Sequence, residues 1–243
     1  MKNLTITLFL LTCLTTPVLA LDLRQLIRET EDQHMGRSSL AEMTMAVSTE
    51  HWQRTTRMEA WSLGRDYFLV RILEPAKEKG VATLKIDKEV WNYLPKVDRT
   101  IKVPPSMMGG SWMGSHITNN DLVKAAHTDE DYDFTLLAED EASWTIEALP
   151  KPDAAVIWGK IVYQIEKQHR VPIEVGYYDE EMVEVRKLVF DRVVPLDNRF
   201  VPLRMTVLPL DKPDEKTILD YKHLEFNVPL EKSFFSLRNL KAR

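Results

Sequence analysis

The chain has 243 residues, of which 44% are hydrophobic and 28% are charged, with one cysteine and eight glycines. This composition is typical of a globular protein and excludes disordered, collagen-like and disulfide-built chains. The formal net charge is −5, from 32 lysines and arginines against 37 aspartates and glutamates. The charges form no long run of either sign, so a surface that binds nucleic acid is not expected.

The first twenty residues have the organisation of a secretory signal peptide. Lys2 gives a basic start, residues 4–14 are an apolar stretch, and Ala20 is a small residue of the type that signal peptidase accepts. We predict cleavage after Ala20, which leaves residues 21–243 as one domain, because β-rich chains of this length commonly form a single unit. The apolar stretch is too short and too interrupted for a transmembrane anchor.

A lipoprotein signal is the alternative interpretation of this segment. Cys13 follows two leucines and a threonine, but Thr12 stands where a lipoprotein signal has Gly, Ala or Ser. Cys13 is the only cysteine, so the mature chain contains no disulfide. Its stability must come from an ordinary hydrophobic core.

Residues 22–35 are predicted to form an amphipathic helix. Asp22 is suited to cap its first turn, and Leu23, Leu26 and Ile27 fall on one face. A helix with one apolar face must pack on another part of the protein.

After Gly36 the period of the hydrophobic residues changes to two, as in Met43, Met45 and Val47, which is typical of half-buried strands. Short turn sequences separate the runs and favour antiparallel connections over β–α–β crossovers. The fold class is therefore mainly β with a few helices. About a dozen such runs are present, and the others cover residues 55–63, 67–73, 81–86, 90–94, 134–138, 143–148, 157–166, 173–178, 182–194, 201–208 and 217–226.

Residues 104–128 lack the strand pattern. Glycines and methionines gather here around Trp112, and the segment continues into a short helix, capped by Asn119 or Asn120, with a shared apolar face. We interpret the segment as a mobile apolar flap that is too flexible to hold Trp112 in a well-packed core. The alternative interpretation is a loop that folds down onto its own core. The residues that give it this character are Met107, Met108, Gly109, Gly110, Met113, Gly114, Leu122, Val123 and Ala126.

No pattern predicts a metal site or a cofactor. The six histidines have no metal-binding spacing, and the mature chain has no cysteine. Ser111 stands between glycines, but Met113 occupies the position where a nucleophile elbow requires glycine. A hydrolase remains an alternative, and it predicts that Ser111 or Ser115 lies within hydrogen-bond reach of His116, with Asp121 as the orienting group.

Residues 90–104, with the sequence VWNYLPKVDRTIKVP, and residues 107–115, with the sequence MMGGSWMGS, are similar to the outer-membrane lipoprotein-sorting proteins of LolA-like type. The signal peptide, the amphipathic first helix and the series of strands agree with this resemblance, which covers essentially the whole mature chain. It implies a single curved antiparallel sheet that forms an unclosed half barrel. An N-terminal helix and a lid loop or helix would cover its apolar concave face.

The resemblance also implies the function: a periplasmic carrier or chaperone, not an enzyme, that binds lipid or lipoprotein acyl chains for delivery toward the outer membrane. It would be a monomer that takes lipid or lipidated protein from an inner-membrane transporter to an outer-membrane acceptor. The alternative is a periplasmic sensor or adaptor of the same fold, working with an envelope transporter or a signalling partner.

Two sets of residues follow as candidates for ligand binding. The lid set consists of Met107, Met108, Gly109, Gly110, Trp112, Met113, Gly114, Leu122 and Val123. The set expected to line the cavity from the sheet consists of Trp91, Tyr93, Trp144, Ile146 and Val175.

Overall fold

The computed structural model describes residues 21–124 and 127–242. The predicted signal peptide at residues 1–20, with Cys13, lies outside the described residues, as does Ala126. Within the described ranges, no helix is long and apolar enough to cross a membrane.

Strands dominate the described part of the chain. The helices are α1 (Leu23–Glu31), α2 (Asn119–Lys124), α3 (Thr128–Asp131) and α4 (Leu237–Leu240). Short 3-10 turns lie at Asp32–His34, Pro95–Val97, Pro105–Met107, Trp112–Gly114 and Lys232–Phe234. The strands are β1 (Ser38–Ser48), β2 (Gln53–Leu63), β3 (Tyr67–Glu74), β4 (Ala82–Ile86), β5 (Glu89–Leu94), β6 (Arg99–Lys102), β7 (Tyr132–Glu139), β8 (Ser143–Pro150), β9 (Lys160–Glu166), β10 (Pro172–Tyr178), β11 (Glu184–Leu196), β12 (Arg199–Pro209) and β13 (Lys216–Phe226).

All thirteen strands belong to one antiparallel sheet, in the order β6-β5-β4-β3-β2-β1-β13-β12-β11-β10-β9-β8-β7. The first and last strands pair in its middle, with Ser39 opposite Phe226 and Ser48 opposite Lys216. The free edges are β6 and β7, and the chain between them must cross from one edge to the other. The sheet is therefore an unclosed half barrel, and the predicted mainly β fold is confirmed.

The local predictions match most of these elements. The Asp22 carboxylate accepts a hydrogen bond from the Gln25 backbone N–H at 3.0 Å, which confirms the predicted helix cap. The helix itself ends at Glu31 and continues as a 3-10 turn. Strand β6 was not predicted. It is a four-residue edge strand that is almost wholly exposed, so it shows no alternation of buried and exposed positions.

The two faces of the sheet have different covers. On the inner face, Met43 and Met45 of β1 share a buried cluster with Trp112, while Ile146 of β8 is buried in the cluster that contains Leu26 of α1. The flap and α1 therefore cover the inner face. The outer face is covered by C-terminal residues, because Leu69, Leu84 and Tyr93 are buried with Phe235 and Leu240.

Candidate functional site

The flap predicted at residues 104–128 is described at residues 104–124 and 127–128. It lies folded on the inner face. Trp112 is only 3% exposed, and its indole N–H donates to the Thr83 hydroxyl of β4 at 3.1 Å. The next two residues, Met113 and Gly114, have φ angles of 49° and 68°, and this left-handed turn returns the chain toward the sheet. The expectation that Trp112 stands outside the packed core is therefore wrong, because a hydrogen-bond acceptor on a distant strand holds the ring in place.

Two contacts with strands fasten the turn that follows Trp112. The Arg54 guanidinium of β2 donates to the carbonyl of Met113. His116 is hydrogen-bonded through Nδ1 to the Thr217 hydroxyl at 2.8 Å and through Nε2 to the Glu215 carboxylate at 2.9 Å. The hydrogen bond from His116 lowers the pKa of Glu215.

The serines of the flap serve its turns. The Ser111 hydroxyl donates to the carbonyl of Ser115, and the Ser115 hydroxyl donates to the carbonyl of Trp112 at 2.7 Å. Among the described residues, no hydrogen bond joins either serine to His116. The geometry that the hydrolase alternative requires is thus not formed. The residues that the structure describes contain no group of three or more His, Cys, Asp or Glu side chains placed to hold a metal ion.

Helix α2 begins with a reciprocal cap. The Thr118 hydroxyl accepts from the Asp121 backbone N–H at 3.1 Å, and the Asp121 carboxylate accepts from the Thr118 N–H at 2.7 Å. This arrangement satisfies two free donors of the first turn. The predicted cap at Asn119 or Asn120 is wrong, because the Asn119 amide donates instead to the carbonyls of Met107 at 3.3 Å and Gly110 at 3.0 Å.

A buried ion pair attaches α2 to the sheet. The Arg186 guanidinium of β11 donates both terminal nitrogens to the Asp121 carboxylate, at 2.7 and 2.9 Å. The two side chains are 8% and 13% exposed, and the guanidinium lies 4.3 Å from the centre of the Tyr177 ring and 4.6 Å from that of Trp158. Two parallel charge-assisted bonds fix both distance and orientation. Sequence reasoning missed Arg186, since only its position opposite α2 distinguishes it from other arginines.

Two adjoining cavities lie between the flap and the inner face. Their volumes are about 200 and 220 Å³, and together they reach the lower part of the range of roughly 300–1,000 Å³ that is typical of ligand pockets. The first extends toward His34 and Lys85, and the second extends toward Trp112 and Leu188. The residues that line both are Met43, Phe68, Asp121, Leu122 and Tyr221.

The residues of the predicted lid set have different positions in the flap. Trp112 and Leu122 line the cavities, and Val123 is buried in a cluster against which Met108 packs. Met107 is 61% exposed. The remaining members form or join the turns of the flap: Gly109, Gly110, Met113 and Gly114.

The predicted sheet set is divided between the two faces. Ile146 and Val175 are buried on the inner face in the cluster that contains the α1 residues, and Trp144 packs against it. Trp91 and Tyr93 belong to the outer-face cluster with the C-terminal residues. None of the five lines either cavity. A period of two distinguishes the two faces of a strand, but it does not indicate which face encloses a ligand.

Comparisons with known proteins agree with this architecture. A family model described as “-like: Uncharacterized protein” matches residues 64–242, which is more than half of the chain. No curated protein matches the chain. Among solved structures, a DUF1329 family protein from Desulfovibrio piger is 22% identical, with a TM-score of 0.81 over 89% of this chain and 97% of the other.

Two further structures show the same fold. A protein from Vibrio parahaemolyticus, described as an outer membrane lipoprotein-sorting protein domain, is 22% identical, with a TM-score of 0.77 over 90% of this chain and 98% of the other. A LolA superfamily protein from Nitrosomonas europaea is 18% identical, with a TM-score of 0.73 over 89% and 98%. The high TM-scores establish the fold, and because all three identities are below 25% they establish the fold alone.

Proposed function

We propose that this chain is a periplasmic carrier for the acyl chains of lipids or lipoproteins, without enzymatic activity. The chain belongs to the family whose model matches residues 64–242, and it shares its fold with the lipoprotein-sorting and LolA superfamily structures. The observation that supports the proposal is the pair of adjoining cavities between the inner face and the flap. In this proposal residues 1–20 are a cleaved signal peptide, and residues 21–243 form one monomeric carrier domain.

The free energy of burial explains why such a carrier needs partners. Each methylene removed from water contributes about 0.8 kcal/mol, so one acyl chain of about fifteen carbons gains on the order of 10 kcal/mol in a cavity. A membrane offers nearly the same gain. We therefore propose that an inner-membrane transporter loads the protein and that an outer-membrane acceptor receives the cargo.

The flap is the element that must move for an acyl chain to enter. Leu122 of α2 lines both cavities, so movement of α2 away from the sheet would join and open them. The Asp121–Arg186 pair holds α2 at its first turn. A bound chain that replaces the contacts of Leu122 would offset part of the free energy needed to move the helix.

Native mass spectrometry of the periplasmic protein, combined with lipid extraction, tests the proposal. We expect an acyl-bearing mass that dissociates on activation. The variant Leu122→Trp should reduce the bound fraction because the larger ring takes up space where the two cavities meet. Leu137→Trp is the matched control, since Leu137 is exposed on the edge strand β7.

An apo mass for the wild-type protein that persists after incubation with a fatty acid below its critical micelle concentration would contradict the carrier proposal, because no membrane then competes for the acyl chain. That result would favour the sensor or adaptor alternative, for which a stable protein partner is the expected finding. Equal lipid occupancy in the wild-type protein and in Leu122→Trp would place the lipid outside these cavities.

A further inference from the structure

Lys85 is a charged residue on the inner face of the sheet. It lies in β4, two residues after Thr83, the hydrogen-bond partner of Trp112. The residue is only 2% exposed, and it lines the first of the two cavities. Lysine is almost never fully buried unless its charge is paired.

The Lys85 ammonium has one hydrogen-bond acceptor, the backbone carbonyl of Arg65. Among the described residues, no carboxylate lies within 4 Å of it, whereas an ammonium group carries three donors. Two donors therefore have no partner in the described part of the chain.

The other charged side chains along these cavities are already paired. The Arg65 guanidinium binds Asp32 at 2.7 Å and Asp129 at 2.6 Å. Asp121 is held by the bidentate pair with Arg186. The Lys85 ammonium is thus the charge in the described lining that lacks a counterion.

Burial lowers the pKa of Lys85 to about 8. Asp66 and Asp87 favour the charged form from beyond contact distance, and Arg65 opposes it. With a pKa of about 8, most of the amine still carries its proton at neutral pH. A positive charge is thus available inside an otherwise apolar cavity, where an anion interacts more strongly than it does in water.

We propose that the cargo is an anionic amphiphile with a single acyl chain, whose carboxylate or phosphate oxygens accept hydrogen bonds from Lys85. The inference rests on the proposed carrier function and specifies its ligand. The first cavity places the anionic group near the β2–β3 turn, where Gly64 and Arg65 lie. The hydrocarbon chain then follows Phe68 and Leu122 into the second cavity toward Trp112.

The volumes favour one chain over two. The cavities of about 200 and 220 Å³ only together reach the lower part of the range of roughly 300–1,000 Å³ that is typical of ligand pockets. A fatty acid and a lysophospholipid share the chemistry that the site recognises, namely one acyl chain with one anionic group.

Binding of three probes to delipidated full-length mature protein tests the inference: palmitate, its neutral methyl ester, and palmitoyl lysophosphatidic acid. We expect the wild-type protein to bind the better of the two acids at least about tenfold more tightly than the ester. The ester carbonyl can still accept a hydrogen bond from Lys85, but it carries no negative charge to pair with the ammonium group. Lys85→Met should abolish this preference, and the matched control Lys88→Met, three residues along on the exposed β4–β5 turn, should retain it.

The outcomes separate the two proposals. Tighter binding of palmitate indicates a fatty-acid cargo, and tighter binding of the lysophospholipid indicates a phosphate headgroup; both support the inference. Equal binding of acids and ester to the wild-type protein overturns it but leaves the carrier proposal standing, and this comparison does not depend on how any variant folds. Binding of none of the three probes contradicts both proposals.

Discussion

Glu31, the last residue of α1, carries a carboxyl group in an unfavourable environment for its charge. Its Oε2 atom is shielded from solvent and has no hydrogen-bond partner among the described residues, while Oε1 accepts a hydrogen bond from the Tyr163 hydroxyl at 3.1 Å. Burial raises the pKa of Glu31 to about 8, despite the opposing effects of Thr128, Tyr163 and Arg65. The folded protein therefore holds a proton that the unfolded chain releases near pH 4.5.

This proton makes the stability of the fold dependent on pH. Between about pH 4.5 and pH 8 the folded state binds more protons at Glu31 than the unfolded state, so the free energy of unfolding falls as the pH rises. Glu31→Gln removes the titration. Urea unfolding at pH 5 and at pH 8 gives the free energy of unfolding at each pH. We expect this free energy to fall between the two pH values by more than about 1 kcal/mol more in the wild-type protein than in Glu31→Gln.

A carboxylate on the same helix provides the control. The Glu29 side chain is 41% exposed and pairs with Arg170, so Glu29→Gln should retain the pH dependence of the wild-type protein. If the free energy of unfolding falls by the same amount between pH 5 and pH 8 in the wild-type protein and in Glu31→Gln, Glu31 does not carry the buried proton.

At the scale of elements, α2 depends on its tertiary contacts. A helix of six residues has little stability of its own, because nucleation is costly and few hydrogen bonds follow it. Val123 packs against the sheet, and Asp121 binds Arg186. We therefore expect the ion pair to determine how readily the flap opens.

Asp121→Asn tests this dependence. Removing one charge of a buried pair costs about 3–5 kcal/mol because the other charge is left uncompensated. We expect hydrogen exchange, measured by mass spectrometry, to be faster in residues 116–124 of the variant than in the same residues of the wild-type protein. Exchange in β1 and β13 should change less. Arg186→Met together with Asp121→Leu should restore part of the protection, since neither charge then remains buried.

An exposed pair serves as the comparison for this prediction. Arg204 and Asp191 are 4.0 Å apart, with side chains 37% and 48% exposed, and exposed pairs contribute about 0–1 kcal/mol. Asp191→Asn should leave exchange in the flap unchanged. If Asp121→Asn also leaves it unchanged, the ion pair does not hold the flap.

At the scale of the whole molecule, the sheet joins the two ends of the chain. The largest buried cluster combines Met43 and Met58 from the N-terminal strands with Val207 and Leu219 from the C-terminal strands. A core that takes side chains from both halves favours a single cooperative unit. We therefore propose that residues 21–243 fold as one domain.

Calorimetry of the mature protein checks this proposal. We expect one thermal transition whose calorimetric enthalpy equals its van't Hoff enthalpy. Two resolved transitions, or a van't Hoff enthalpy well below the calorimetric value, would indicate that β1–β6 and β7–β13 unfold separately.

The sequence alone determined the features that depend on neighbouring residues. The alternation of Met43, Met45 and Val47 predicted a strand, and the spacing of Leu26 and Ile27 predicted a helix with a buried face. Both patterns arise from the local backbone period, which any short stretch of sequence records. The resemblance carried by residues 90–104 and 107–115 predicted the LolA-like fold in the same way, from two neighbouring stretches of sequence.

Only the tertiary structure decided which distant residues meet. Thr83 and Lys85 are polar, and polar residues at alternating positions are typical of a solvent-facing side of a strand, yet both are buried on the inner face. Arg186 meets Asp121 across 65 positions of the chain. Such contacts depend on the order in which the strands pair and on the path of the flap from one sheet edge to the other, and no local period in the sequence records either.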